Sequence, residues 1–304
     1  MIPVVITCPV ILIKRRKSMT MTILLRSSLT VLLLAVTAVW SGCSAEDTTQ
    51  MKKTDRESAL RTAKAEDTSM KTIGEIVAAD YRTSKVFAKY GIDFCCGGKV
   101  PLSVACREKG IDPASIGREI EAVRSEPIGR SQDYASWGLS FLSDYILNTH
   151  HAYLKENTGQ IAAYAHKIAE VHGARHPEVI RIAVIYDTIA TDMASHLRQE
   201  EEVLFPAIKR IDATRKAGKT PETKDLNAIK TCLASLQQDH TKIGEALQTI
   251  RNLAKGYAMP DDVCNTYVIT YNMLKEFEGD LHKHVHMENN ILFPKAAWVS
   301  EVSG

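Results

Sequence analysis

Two stretches 88 residues apart constrain this chain more than any other feature. They are HLRQEEEVLFP, from His196, and HVHMENNILFP, from His284. Each reads H-x-x-x-E, two residues, an apolar residue and Leu-Phe-Pro. Each is preceded by another histidine, His151 in NTHHAYL and His240 in QQDHTKI, and these lie 89 residues apart. The separations His151–His196, His196–His240 and His240–His284 are 45, 44 and 44 residues. Four long, glycine-poor segments carry them, at roughly 137–172, 177–210, 222–255 and 260–290. HGARHP, ATRKAGKTP and KGYAMP separate the segments, with the Gly and Pro that end helices. Short connections between long helices make neighbours antiparallel, so the chain is expected to be all-α, with an up-down four-helix bundle over 137–298. Near-constant separation brings one histidine per helix to the same layer.

A histidine and a glutamate four residues apart share one helix face, about 6 Å apart along the axis. The layer would hold four imidazoles and two carboxylates. That set suits a pair of iron ions bridged by the carboxylates, and it over-supplies a single zinc. The repeat chooses among neighbours. Glu200 matches Glu288, whereas Glu201 and Glu202 match Asn289 and Asn290 and read as solvated or outer residues. His151 is preferred to His150 because an apolar residue follows at +3 in both copies, Leu154 and Ile243. His282 and His286 are not four residues from Glu288, and His166, His172 and His176 fit no layer. One H-x-x-x-E commonly marks a wet helix face, and Leu-Phe-Pro a helix terminus. Two copies at matched offsets point instead to a metal site, which would also satisfy polar residues facing a bundle interior.

Upstream, residues 70–125 read as a small helical unit. TIGE is a capping box, with Thr72 as N-cap and Glu75 at N3. Ile73, Ile76, Val77, Val86, Phe87 and Tyr90 follow at roughly helical spacing, and Gly91 stops the helix. Asp112 and Pro113 start another, and 126–136 is a linker. The unit carries YGIDFCCGGK, residues 90–99. Cys95 and Cys96 read either as a redox or metal-transfer pair, with glycines that leave the thiols accessible, or as two small half-buried residues at a turn. A metal site from these two alone is not expected, because two ligands are too few and adjacent side chains diverge.

The net charge of +2 gives no sign of a nucleic-acid surface or a polybasic membrane patch. Seven irregularly spaced cysteines in 304 residues give no disulfide framework, and most read as reduced or incidental. Residues 1–69 follow a different logic. KRRK, the apolar stretch 23–40 and SGC resemble a signal peptide or a lipoprotein box at Cys43, although Trp40 stands where that box usually has leucine. The competing reading is a start codon placed upstream of Met19, Met21, Met51 or Met70. The polar run 44–69 reads as a spacer.

DFCCGG, THHAYL, HLRQEEEVLFP, QDH and HVHMENNILFP together make residues 70–298 resemble a hemerythrin-like protein. More closely they resemble the Repair of Iron Centers family of di-iron iron–sulfur cluster repair proteins. The resemblance implies a non-haem di-iron centre bridged by oxygen, Glu200 and Glu288, with His151, His196, His240 and His284 as terminal ligands. It implies restoration of clusters damaged by nitric oxide or oxidants through a supply of iron, and damaged iron–sulfur client proteins as partners. It leaves a homodimer open. Cys95 and Cys96 match the family's pair, for thiol redox or client docking. Family members tend to begin near Met70, which implies a cytoplasmic protein; export or a lipid anchor on Cys43 is the alternative. Oxygen-carrying hemerythrins have a fifth histidine ligand, and four here would leave an exchangeable position. An oxygen or nitric oxide binder or sensor, or a nitric oxide reductase, would share the same ligands.

Overall fold

Thr72 starts the first helix as its capping box predicts. Its hydroxyl accepts from the Glu75 N–H at 3.2 Å, and Glu75 Oε2 accepts from the Thr72 N–H at 2.8 Å. This computed structural model describes residue 68 and residues 70–129 and 132–302. The signal-like stretch, Cys43 and nearly all of the polar run lie outside the described residues.

Helix α1 is Ile73–Ala79 and α2 is Ser84–Lys89, with a 3-10 turn at Tyr81–Thr83 between them. The single helix expected up to Gly91 is therefore broken at Asp80. Asp80 is extended (φ −155°), and its carboxylate accepts from the backbone and side chain of Arg82. Gly91 (φ 62°) follows the end of α2 in the left-handed region that glycine occupies freely. Helix α3, Leu102–Lys109, was not foreseen, although its signals are present: Pro101 precedes it and Gly110 (φ 65°) closes it. Helix α4, Pro113–Arg124, starts as predicted, with Asp112 accepting from the N–H groups of Ala114 and Ser115 at 3.1 Å each.

The bundle has four limbs. The first is α5, Leu139–Tyr145, continued through a π-helical turn at Ile146–His151 into α6, Ala152–His172. The second is α7, Glu178–Gln199, a π turn at Glu200–Leu204, and α8, Phe205–Lys216. The third is α9, Thr223–Leu253. The fourth is α10, Asn265–Met287, a π turn at Glu288–Leu292, and α11, Phe293–Val302. The first limb packs on the second and fourth, the second on the third, and the third on α11.

The second and fourth limbs do not stop near 210 and 290, where the sequence suggested ends. Each passes through its Leu-Phe-Pro by a π turn, closed by Phe205 N–H to Glu200 O and by Phe293 N–H to Glu288 O. Pro206 and Pro294 have no N–H, and in a regular helix their rings would crowd the carbonyl four residues back. The wide turn relieves that crowding.

All the described residues belong to one compact unit. One apolar cluster joins Ile76, Phe87 and Ile116 of the small helices to Leu154, Ile182 and Phe277 of the bundle. A second surrounds the Leu-Phe-Pro end, with Leu204, Phe205, Leu292 and Phe293. Tyr134, expected in the linker, is 4% exposed and belongs to the second cluster. Among the described residues no helix is long and apolar enough to cross a membrane.

Candidate metal centre

His151, His196, Glu200, His240, His284 and Glu288 meet in the bundle interior, and all are at most 1% exposed. They form two groups of potential ligand atoms. One is His151, Glu200, His284 and Glu288; the other is His196, Glu200, His240 and Glu288. Both glutamates are common to the two groups. Glu288 Oε1 meets His284 Nε2 at 2.9 Å, while its Oε2 lies 3.2 Å from His240 Nε2 without hydrogen-bond geometry. Glu200 Oε2 lies 3.4 Å from the Nε2 atoms of both His151 and His196. The pairing is first limb with fourth and second with third: His151 Nε2 is 3.2 Å from His284 Nε2, and His196 Nε2 is 3.0 Å from His240 Nε2.

The protein alone does not satisfy this cluster. Both oxygens of Glu200 and Oε2 of Glu288 are buried without a hydrogen-bond partner. Buried acceptors of this kind are costly. Two imidazole nitrogens facing each other at 3.0–3.2 Å share one proton at most, whereas a cation between them would engage both lone pairs. The donor set of four nitrogens and two carboxylates therefore fits a metal-binding site made of two ligand groups that share both glutamates.

The repeat also supplies an outer layer. Glu201 Oε1 lies 2.9 Å from His151 Nδ1, and its other oxygen takes a 2.6 Å salt bridge from Lys155. Asn289, at the matching position, meets His240 Nδ1 at 3.0 Å. These contacts fix the ring orientation and direct the Nε2 atoms inward. Glu202 is exposed. His150 is buried but turned away, with Nδ1 2.8 Å from Asp280.

Burial and the opposite charges in the cluster pull against each other. Burial opposes a charge on His151, but contacts with Glu200 and Glu288 outweigh it and push its pKa up to about 10. Burial also opposes a charge on His196, and Glu200 outweighs it and raises that pKa. His284 is pushed down by burial, in contrast to His151 and His196. Burial and the neighbouring Glu288 act to raise Glu200, yet the imidazoles hold it below the usual carboxylate range. Burial acts to raise Glu288 as well, yet His284, His151 and His240 hold it well below that range.

The double-cysteine loop docks directly on this centre. The Cys96 thiol donates to the carbonyl of His240 at 3.1 Å. Asn289 Nδ2 donates to the Cys95 carbonyl at 3.4 Å, and Asn290 Nδ2 to that of Phe94 at 3.2 Å. The glycines serve close approach. A Cβ on Gly98 would lie 2.7 Å from Asn290 Oδ1, and one on Gly74 only 2.1 Å from it. Asp93 braces the loop by accepting from the N–H groups of Cys95, Cys96 and Gly97 at 2.8, 3.1 and 2.9 Å.

Of the two readings of the thiols, the half-buried pair at a turn is the one the burial supports: Cys95 is 4% exposed and Cys96 is half-buried, because the loop lies against the bundle. The expected divergence of the two side chains needs correction, since the sulfurs are 3.8 Å apart. The Cys96 contact and burial push the Cys95 thiol well up, so it is held as a thiol. Beside the loop lies a cleft of about 1030 Å³, lined by Asp93, Cys95, Cys96, Gly244, Arg251 and His282.

Sequence reasoning missed one further pair. His172, read as an ordinary histidine, places Nε2 3.1 Å from Cys264 Sγ. Cys264 is exposed at the N-cap of α10. The His172 contact and the N–H groups at that helix start bring its pKa down to about 7. No periodicity links residues 92 apart on different helices.

Residues 143–296 match the family model described as the Hemerythrin HHE cation binding domain. Residues 69–124 match the one described as a Domain of Unknown function (DUF542), the ScdA amino-terminal domain. The iron-sulfur cluster repair protein ScdA of Staphylococcus haemolyticus is 31% identical over 228 residues, 75% of this chain and 98% of the relative. Its counterpart in Staphylococcus epidermidis is 30% identical over 223 residues, 73% of this chain and 96% of the relative. The iron-sulfur cluster repair protein YtfE of Yersinia pestis is 28% identical over 225 residues, 74% of this chain and 96% of the relative. With the small cysteine-bearing unit and the duplicated histidine–glutamate bundle matched in the same order, the chain belongs to the ScdA/YtfE family of iron-sulfur cluster repair proteins.

Proposed function

We propose that this protein is a di-iron protein that restores iron–sulfur clusters damaged by nitric oxide or oxidants, and that it does so by supplying iron. The observation that carries the reading is the closure of two matched H-x-x-x-E motifs on one buried group of four imidazoles and two shared carboxylates, with the double-cysteine loop docked against it. His151 and His284 would hold one iron, His196 and His240 the other, and Glu200 and Glu288 would bridge them. A non-haem iron pair supplies exchangeable metal and redox chemistry when bound.

The protein's own residues provide the rest. Glu201 and Asn289 orient the rings. Apolar walls from Phe205 and Phe293 exclude bulk water, stacking on His151 and His240 with ring centroids 5.4 and 5.8 Å away. Cys96, tied to the main-chain carbonyl of His240, places a soft sulfur at the edge of the cleft. Damaged client proteins would be met there, and the cytoplasm, where cluster enzymes are made, is the compartment this activity requires. Iron-loaded protein mixed with a cluster enzyme inactivated by nitric oxide, under reducing conditions, should restore that enzyme's activity, and metal-free protein should not. Equal recovery with free ferrous iron at the same concentration overturns the proposal.

A further inference from the structure

We infer that the two metal positions hold their ions unequally, and that the position at His196 and His240 releases its ion first. The inference rests on the two-iron reading above. Residues 201 and 289 occupy the same place in the repeat, five residues after the motif histidine. Each meets the Nδ1 of one imidazole on another limb, at nearly the same distance: 2.9 Å for Glu201 on His151 and 3.0 Å for Asn289 on His240. The acceptors differ in charge. A carboxylate draws the Nδ1 proton and makes Nε2 a stronger donor to metal; a neutral amide does so far less.

The remaining imidazoles do not reverse this. His284 Nδ1 has no hydrogen-bond partner, and neither has His196 Nδ1, whose nearest carboxylate, Asp239, stands 3.8 Å away and 3.5 Å from Lys242. Lys155 draws part of the Glu201 charge at 2.6 Å, but it holds the opposite oxygen and leaves Oε1 to His151.

The weaker position is also the one whose helix carries the cysteine loop. The His240 carbonyl takes the Cys96 thiol, and Asn289 reaches the Cys95 carbonyl. Thr241 and Gly244, one and four residues further along α9, line the cleft with both cysteines. A Cβ at Gly244 would stand 3.0 Å from Cys96 Sγ, so that glycine keeps the thiol seated. Outer carboxylate partners of metal-bound imidazoles are worth about 10–100-fold in metal affinity. The two positions should differ by that order in release.

The test loads the full chain anaerobically with ferrous iron, counts the iron taken up, and then follows its release to a coloured ferrous chelator. Uptake of fewer than two irons per chain overturns the two-iron reading, and with it this inference, before any release is measured. With two bound, release is expected in two phases of one iron each. Glu201→Gln, which keeps the hydrogen bond but removes the charge, should speed the slow phase about 10–100-fold and leave the fast phase unchanged. Asn289→Asp should slow the fast phase. Release of both irons in a single phase, or a Glu201→Gln effect confined to the fast phase, overturns unequal retention while leaving the two-iron reading intact.

Discussion

Removing the metal should cost this fold a measurable part of its stability, and the structure sets the size of the loss. Three carboxylate oxygens at the centre, two on Glu200 and one on Glu288, are buried without a hydrogen-bond partner. An unmet buried acceptor costs about 1–3 kcal/mol. Without metal, protons on His151 and His196 return part of this, because both imidazoles are raised by the carboxylates. The lower half of the range then applies, about 3–6 kcal/mol for the three oxygens. A chain of this size gains roughly 2–4 °C in melting temperature per kcal/mol. Iron-loaded protein should therefore melt roughly 6–24 °C above the chelated protein in a calorimetric scan. Chelated protein refilled with ferrous iron should regain the difference. If protein with two irons per chain melts within 2 °C of its metal-free form (about 1 kcal/mol or less), the centre is satisfied without metal and the reasoning fails.

The remaining predictions concern single groups. Glu200→Leu should lower iron content, whereas Glu202→Leu, at an exposed position, should leave it unchanged; metal analysis of the two variants decides whether the register of the site is correct. Metal loading at pH 7 should release at least one proton per chain, since the His151 pKa of about 10 keeps that ring protonated until an ion displaces the proton. Loading in a weakly buffered solution with a pH indicator reads this directly. The same shift has a definite sign for the metal-free fold: the stabilisation from His151 is complete below pH 6.5 and is lost as the pH rises through about 10. Alkylation of Cys264 by iodoacetamide should rise with a midpoint near pH 7, against 9 for an ordinary thiol, and His172→Ala should move that midpoint up.

How much of this was legible in the sequence depended on whether a feature repeated. The match of Glu200 to Glu288 picks one glutamate of three, the apolar residue at +3 picks one histidine of two, and the fold brings those six side chains together. The outer layer was half legible. Glu201 and Asn289 were matched to each other, but their difference in charge removed them from a ligand set, and only the folded bundle gives them His151 and His240 as partners.

The π turns were not legible, because a turn closed five residues back leaves the apolar pattern nearly unchanged, and the proline after it resembles a helix end. The break at Asp80 depends on a local bond to Arg82 that competes with the helix. The burial of Cys95 depends on Asn289 and Asn290, nearly 200 residues away. The double cysteine alone left its accessibility undecided; the docked loop decides it.

The central claim, that one buried layer binds a pair of irons through two shared glutamates, is tested most directly by iron analysis joined to Mössbauer spectroscopy of the iron-57-loaded protein. Two irons per chain with the spectrum of one magnetically coupled pair is the predicted result. One iron per chain, or two irons that behave as isolated ions, would contradict it.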